Sequence, residues 1–283
     1  MTASPPIFDL LRPVLQHASS LPAMPEVAAR LLDSLERDSI TLDEITALIA
    51  RDPALAVKVL RLANSARYGG SHGARTLRDA ASSLGLRTLR DLTLAACLVG
   101  AFPVHPGLDR VAFWQGAIAT SVCARHLAAP LGQDADVAWL CGLLLRSGQL
   151  LMLQFDAQRT LQAQRLAGLA VDAVMGYERS LIGCSHPEVT AELARHWRFP
   201  PALVQALAAA ADPLELRPFN RLGATLRLAS VAADVRRVGV AMAQALPEVQ
   251  GDLLQHVQLS AADIDGWLPP WSGITSGVDE LIH

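Results

Sequence analysis

The sequence is poor in aromatic residues and has almost no lysine. Phe, Trp and Tyr make up 5% of its 283 residues, and Lys58 is the only lysine, which we attribute to genome composition rather than to function. Strands favour aromatic and β-branched side chains, so the shortage of Tyr, Phe and Ile argues against a large sheet. Leu, Ala and Val supply most of the 51% hydrophobic content, and Leu and Ala form helices readily. The composition therefore predicts an all-α protein.

Several sequence motifs that define enzyme classes are missing. No glycine-rich phosphate loop follows a strand pattern, which argues against a nucleotide-binding α/β fold. No serine lies in a nucleophile-elbow pattern, and no local pattern pairs a cysteine with a base. The cysteines form no Cys-x-x-Cys pair and predict buried thiols in a reducing compartment; they are Cys97, Cys123, Cys141 and Cys184.

The sequence also lacks an obvious membrane segment. Its longest apolar run, from Leu92 to Val104, contains Pro103 and is too short to span a bilayer, which requires about 20 residues. The first residues, Met1 to Pro6, show neither the basic nor the apolar region of a signal peptide. We therefore expect a cytoplasmic protein without membrane insertion.

Charge is low overall but unevenly distributed. The net charge is −3, so we expect no bulk affinity for nucleic acid. Between Arg51 and Asp91, eight cationic residues accompany three acidic ones, whereas the chain from Pro247 onwards carries six acidic residues and no Lys or Arg. The basic region and the acidic region could bind each other, or each could bind a separate partner.

Helical periodicity and helix caps dominate the chain. Thr41 with Glu44, and Ser185 with Glu188, have the spacing of capping boxes. Asp52 precedes a proline, an arrangement typical of a helix start, and apolar residues at helical spacing follow it. These patterns predict three helix beginnings.

Two segments of the chain resemble the HDOD domain family. The first reads Leu21-Pro22-Ala23-Met24-Pro25-Glu26-Val27, and the second runs from Asp52-Pro53-Ala54-Leu55 through Arg61-Leu62-Ala63-Asn64-Ser65-Ala66-Arg67-Tyr68-Gly69. Further matches lie at Ala80–Arg87 and His186–Pro200. HDOD domains are bacterial signalling modules related to the HD metal-dependent phosphohydrolases.

The resemblance implies an HDOD or HD-domain-like helical bundle. It covers roughly residues 14–213, with an N-terminal helical lobe of about 14–105 packed on an HD-like helical lobe of about 106–213. Residues 214–283 would then form a C-terminal helical extension. Family members are associated with bacterial regulation, often beside cyclic-dinucleotide signalling proteins, and usually lack an intact metal site.

The metal ligands of an HD-type site are missing from the matching positions. The resemblance places an adjacent His-Asp pair in the segment Gly142–Leu150, where this chain has Leu145 and Arg146, and Gly116 best matches an upstream His. Leucine cannot bind a metal ion, and arginine would place a permanent positive charge beside it. We therefore expect no metal, no cofactor and no catalytic residue.

Other candidate sites are weaker. Glu188, Glu192 and His196 share a helix face, a pattern more typical of a solvated network than of a metal site. Cys184 lies two residues before His186 at a helix start, where the helix dipole could stabilise a thiolate, but a structural thiol is favoured. His186 itself is interpreted as packing at the start of its helix, beside the Ser185 cap.

Polar and basic residues cluster where the helix that follows Asp52 ends. Arg61, Asn64 and Arg67 recur at three-residue spacing and share a helix edge. Two interpretations stay open: these residues cap the helix, or they form a docking edge for an anion or a partner. The candidate binding residues are Arg61, Asn64, Arg67, Tyr68, Arg75 and Arg78.

These observations predict a non-catalytic signal-transduction regulator or adaptor that binds another signalling protein, with a cyclic-dinucleotide signalling component among the candidate partners. An alternative is a sensor that binds a small anionic ligand, such as a cyclic dinucleotide, in the metal-free HD-like cleft. A residual metal-dependent phosphohydrolase is a third reading, and nucleic acid is not expected as a partner.

Overall fold

The computed structural model describes residues 21–35, 40–65, 73–275 and 278–282 of the protein. Across these ranges the secondary structure consists of helices without strands, which confirms the predicted all-α class. The helices are α1 (Glu26–Leu35), α2 (Leu42–Ala50), α3 (Pro53–Ala63), α4 (Leu77–Ala101), α5 (Arg110–Ala128), α6 (Ala135–Leu144), α7 (Ser147–Phe155), α8 (Ala157–Ala167), α9 (Val174–Ile182), α10 (His186–His196), α11 (Pro201–Ala209), α12 (Arg221–Val238), α13 (Met242–Val257), α14 (Ala261–Trp267), α15 (Trp271–Thr275) and α16 (Val278–Ile282).

The chain divides into two compact units. The smaller unit contains Pro22–Val104, Asp109–Gln115 and the chain from Thr275 onwards. The larger unit contains His105–Leu108 and Gly116–Ile274. The lobe boundaries expected from the family resemblance stay a prediction.

Local capping signals set the helix starts of the smaller unit. The Thr41 hydroxyl accepts from the Glu44 N–H, and the Glu44 carboxylate accepts from the Thr41 N–H at 2.7 Å, which confirms the predicted capping box. The Thr41 N–H and the Thr41 hydroxyl both donate to the Glu44 carboxylate, and these two hydrogen bonds hold the pKa of Glu44 below its usual value. The Asp52 carboxylate accepts from the Leu55 N–H at 3.1 Å and caps α3, as predicted.

Helix α4 is the central element of the smaller unit. It packs against α1, α2, α3 and α16, and the apolar faces of these helices bury Leu31, Ile45, Val59 and Leu89 completely. At Gly85 the backbone leaves helical geometry, with φ of +77°, and the helix resumes at the next residue. A glycine is a common signal for the end of a helix, but Gly85 marks a break inside a longer helical segment.

Close helix contacts organise the larger unit. Its core is built mainly from Ala, Leu and Val, with α12 buried along most of its length. A methyl group added to Gly142 on α6 would lie 2.8 Å from the Ser121 Cα on α5, so this glycine lets the two backbones approach. Gly148, at the start of α7, plays the same part against α10, because a methyl group there would lie 2.1 Å from the His186 carbonyl oxygen.

One stretch of the described chain, Ala135–Phe155, is long and apolar enough to cross a membrane by length and composition alone. It comprises α6 and α7, and 83% of its most apolar window is buried inside the structure. Such burial is typical of core helices. Among the residues that the structure describes, this stretch, rather than Leu92–Val104, is the one that meets this criterion of length and composition.

Candidate functional site

A largely buried ion pair includes Arg146, one of the positions that the resemblance assigns to metal ligands. Arg146 follows the end of α6, and its Nη2 lies 2.8 Å from Oδ1 of Asp234 on α12. Both side chains are largely buried, with 13% and 12% exposed. The Arg237 Nε lies 3.4 Å from the same carboxylate oxygen. A methyl group on Gly116 would lie 3.5 Å from Nη1 of Arg146, so the structure brings Gly116 and Arg146 together.

Leu145 faces a different environment from its neighbour Arg146. Its side chain is 1% exposed and belongs to the hydrophobic core that includes Cys123 and Cys141. Its carbonyl oxygen accepts a hydrogen bond from the Thr190 hydroxyl at 2.8 Å. Leu145 therefore serves the core of the larger unit and contributes no polar atom from its side chain.

A second ion pair joins the loop before α9 to α12. Nη2 of Arg227 lies 2.8 Å from Oδ2 of Asp172, and the Gln250 amide donates to the same oxygen at 2.6 Å. Burial raises the pKa of Asp172, an effect that Arg227 and Gln250 oppose. Burial also lowers the pKa of Arg227.

A third polar cluster is almost completely enclosed. Oε2 of Glu178 on α9 accepts from the His186 N–H at 2.9 Å and lies 2.7 Å from Nδ1 of the same residue. The Gln149 amide donates to Oε1 of Glu178 at 2.9 Å. The His186 Nε2 is buried and has no hydrogen-bond partner among the residues described. His186 thus lies at the start of α10, as expected, and is anchored there by a buried carboxylate.

These residues do not fit a metal ion. An HD-type site needs several nitrogen and oxygen ligands that converge on one point. The matched positions instead supply a glycine, a core leucine and a guanidinium, and the nearby Asp234 carboxylate is engaged by that guanidinium. Within the part of the chain that the structure covers, no group of three His, Cys, Asp or Glu residues could hold a metal ion.

The acidic face of α10 is engaged internally. The Glu188 carboxylate accepts from the Ser185 N–H and hydroxyl, each at 2.7 Å, which confirms the predicted capping box. Glu192 pairs with Arg195 on the same helix. Cys184 does not carry a stabilised thiolate, because burial raises its thiol pKa to about 12, with further contributions from Glu188 and Glu178.

At the end of α3, Asn64 clamps the returning chain. Its Nδ2 donates to the Leu60 carbonyl at 3.0 Å and to the Ala74 carbonyl at 2.8 Å, and its Oδ1 accepts from the Ala74 N–H. The amide therefore closes the loop and fixes the position of Arg75, the next residue. These contacts give Asn64 a structural role.

The basic side chains around this clamp are exposed. Arg61 and Arg75 are both solvent-exposed, and Arg78 pairs with Asp43 at 2.8 Å, where both side chains are 78% exposed. A surface ion pair of this kind contributes little stability. Arg67 and Tyr68 lie outside the described residues. The described part of the predicted docking edge thus consists of Arg61, Arg75 and Arg78 beside the Asn64 clamp.

Sequence reasoning missed the buried charged partners. Asp234 and Arg227 lie within an α12 sequence that is otherwise rich in Ala, Leu and Val. Charged residues are rarely buried unless they are paired, so their position in such a helix is a usable signal. Nothing in the sequence identifies their partners. Asp172, Glu178 and Gln149 were missed for the same reason.

The helical fold defines an HD-like protein. A match to the HDOD domain covers residues 21–213, more than half of the chain. The chain therefore belongs to the HDOD domain family, a signalling-related family.

Solved structures agree with this assignment. A crystal structure from Shewanella amazonensis SB2B, named as a candidate phosphohydrolase, is 26% identical and has a TM-score of 0.75, covering 95% of this chain and 98% of its own. An HDOD domain protein of unknown function from Geobacter sulfurreducens is 24% identical, with a TM-score of 0.76 and 97% of each chain covered. The likeness to the Geobacter sulfurreducens protein shows that the two chains share a fold.

A curated relative is longer than this chain. An uncharacterized protein from Treponema pallidum (strain Nichols) is 28% identical over 204 residues. The match covers 69% of this chain and 38% of the relative, so the chain corresponds to less than half of that protein.

Proposed function

We propose that the protein is a non-catalytic bacterial signalling regulator that acts by binding another protein. The observation that supports this proposal is the Arg146–Asp234 ion pair beside Gly116. A guanidinium carries a fixed positive charge and five donors, so it satisfies the carboxylate without a metal ion. It would also repel a cation placed next to it.

The same contacts bear on the sensor alternative. Arg146 and Arg227 are two cations that could attract an anion in the HD-like cleft, and each already holds a carboxylate at 2.8 Å. An anionic ligand would have to displace Asp234 or Asp172. Titration calorimetry with a cyclic dinucleotide separates the two readings, because heat at micromolar ligand would favour the sensor.

We expect the purified protein to retain well below one equivalent of iron, manganese or zinc after incubation with each metal and gel filtration. The measurement is elemental analysis by plasma mass spectrometry. A matched variant, Gly116→His with Arg146→Asp, places an imidazole and a carboxylate beside Asp234. It is expected to retain more zinc than the unaltered protein, since three such ligands suffice for a zinc site. One equivalent of tightly held metal in the unaltered protein would instead support a residual phosphohydrolase.

The docking proposal concerns the exposed arginines around Asn64. Reversing two charges, with Arg61→Glu and Arg75→Glu together, is expected to weaken partner binding about tenfold or more, because exposed arginines are frequent anchors at interfaces. The measurement is affinity for a partner first identified by pulldown from the native host. Both residues are exposed, so the fold is expected to be unaffected, which circular dichroism would verify.

A second double variant controls for the change in net charge. Arg165→Glu with Arg221→Glu reverses two exposed arginines of the larger unit. If this variant loses as much partner binding as Arg61→Glu with Arg75→Glu, the effect reflects overall charge and the proposed docking edge is wrong.

A further inference from the structure

A cleft of about 430 Å³ opens in the smaller unit, and its lining shares no residue with the polar clusters described above. Its walls come from α1, the junction between α2 and α3, and α4. We call it the α1–α4 cleft. Its apolar lining includes Val27, Leu48, Leu55, Ala96 and Cys97. Both segments that carry the resemblance to the HDOD family contribute to it, through Pro25–Val27 and Asp52–Lys58.

The α4 wall of the cleft is smooth and apolar. It presents the small residues Ala96, Cys97, Gly100 and Ala101. A methyl group added to Gly100 would meet no atom within 4 Å, so the space beside this helix is open. Burial raises the pKa of the Cys97 thiol to about 12, so this cysteine stays uncharged at neutral pH.

The rim of the cleft carries an excess of positive charge. Glu26 is shared by two arginines: its Oε1 lies 3.0 Å from Arg30 Nη2 and 3.8 Å from Arg51 Nη1. Asp52 is occupied as the cap of α3. Lys58 is half-buried, and no ion pair to it is formed by the residues that the structure describes. Three cations thus face two carboxylates.

We propose that the α1–α4 cleft binds a small amphiphilic anion, with its carboxylate or phosphate head at Lys58 and its apolar chain along α4. Small-molecule sites typically enclose about 300 to 1,000 Å³ and combine an apolar lining with a few polar groups. The cleft meets both conditions, and its net charge selects for an anion. This site does not depend on the proposed partner-docking edge, so either can fail without the other.

The single lysine provides a direct test. Lys58 and the amino terminus are the primary amines of this chain, so an N-hydroxysuccinimide ester labels these two positions, and peptide mass spectrometry separates them. Octyl phosphate or decanoate, each below its critical micelle concentration, is expected to slow labelling of Lys58 several-fold and to leave the amino terminus unchanged. Inorganic phosphate, octanol and octyltrimethylammonium are expected to protect poorly, because each lacks the anionic head or the apolar chain.

Two variants assign the protection to the cleft, with affinity measured by titration calorimetry. Gly100→Leu fills the open space and is expected to abolish binding, whereas Gly176→Leu, at an equally open position on α9 in the larger unit, is expected to leave it unchanged. Lys58→Met keeps the apolar stem and is expected to raise the Kd about tenfold, the loss of one charge-assisted hydrogen bond. If Gly100→Leu fails to fold, the Lys58 labelling and Lys58→Met still decide the question.

Three results would overturn the proposal. They are equal protection of Lys58 by octyltrimethylammonium, unchanged affinity in the folded Gly100→Leu variant, and no protection by either anionic amphiphile. Better protection by octyl phosphate than by decanoate would identify a phosphate head, and the reverse order would identify a carboxylate head. Both orders support the site.

Discussion

Replacing Gly148 with alanine is expected to lower the free energy of unfolding by about 3 kcal/mol or more. The new methyl group would lie 2.1 Å from the His186 carbonyl oxygen and 2.9 Å from the Thr190 nitrogen. Both are backbone atoms of α10 and cannot rotate away, so α7 and α10 would have to separate. Urea unfolding, followed by circular dichroism, measures the change through the midpoint and slope of the transition.

Gly176→Ala is the matched control for this prediction. A methyl group at Gly176 would meet no atom within 4 Å, and the residue lies inside α9. Alanine there is expected to stabilise the protein by about 0.5 to 1 kcal/mol, because glycine is unfavourable in helix interiors. If Gly148→Ala and Gly176→Ala unfold at the same urea concentration, the close contact between α7 and α10 is wrong.

Removal of the Glu178 side chain is expected to have a comparable effect. Glu178→Ala should lower the free energy of unfolding by about 3 kcal/mol or more, since it leaves buried groups of His186 and Gln149 without their acceptor. Both oxygens of the carboxylate are used, and its side chain is completely buried. The measurement is again urea unfolding.

Two further variants interpret the result. Glu248→Ala removes an exposed glutamate from α13 and is expected to change stability by no more than about 0.5 kcal/mol. Glu178→Gln keeps the size of the side chain and one acceptor oxygen, so it should fall between the other two. A Glu178→Ala protein as stable as Glu248→Ala would show that the cluster contributes nothing to folding.

The helix starts could be predicted from the sequence because their signals are local. Thr41 and Ser185 each lie three residues before the glutamate that completes the cap, and Asp52 caps the backbone three residues on. Such signals need no knowledge of distant contacts. At Gly85 the local glycine signal marks only a break, because the helix continues beyond it to Ala101.

The candidate sites could be predicted only in part, because their partners are distant in sequence. The family resemblance pointed to Gly116 and Arg146, which the structure brings together. It gave no hint of Asp234, which lies 88 residues beyond Arg146 and depends on how α12 packs. Lys58 shows the same limit more clearly. In the sequence, a single lysine indicated only genome composition, and its position on the rim of the α1–α4 cleft is visible only in the folded structure.

The buried ion pairs also indicate that the residues matched by the family differ from the residues needed for a stably folded unit. The family match ends at residue 213, but Arg146 and Asp172 take their partners from α12, which begins at Arg221. A fragment that ends at residue 213 would leave the Arg146 guanidinium and the Asp172 carboxylate largely buried without their partners. It would also expose the side of α11 that packs against α12. We therefore expect the smallest fragment of the larger unit that folds on its own to extend beyond residue 213, where the family match ends.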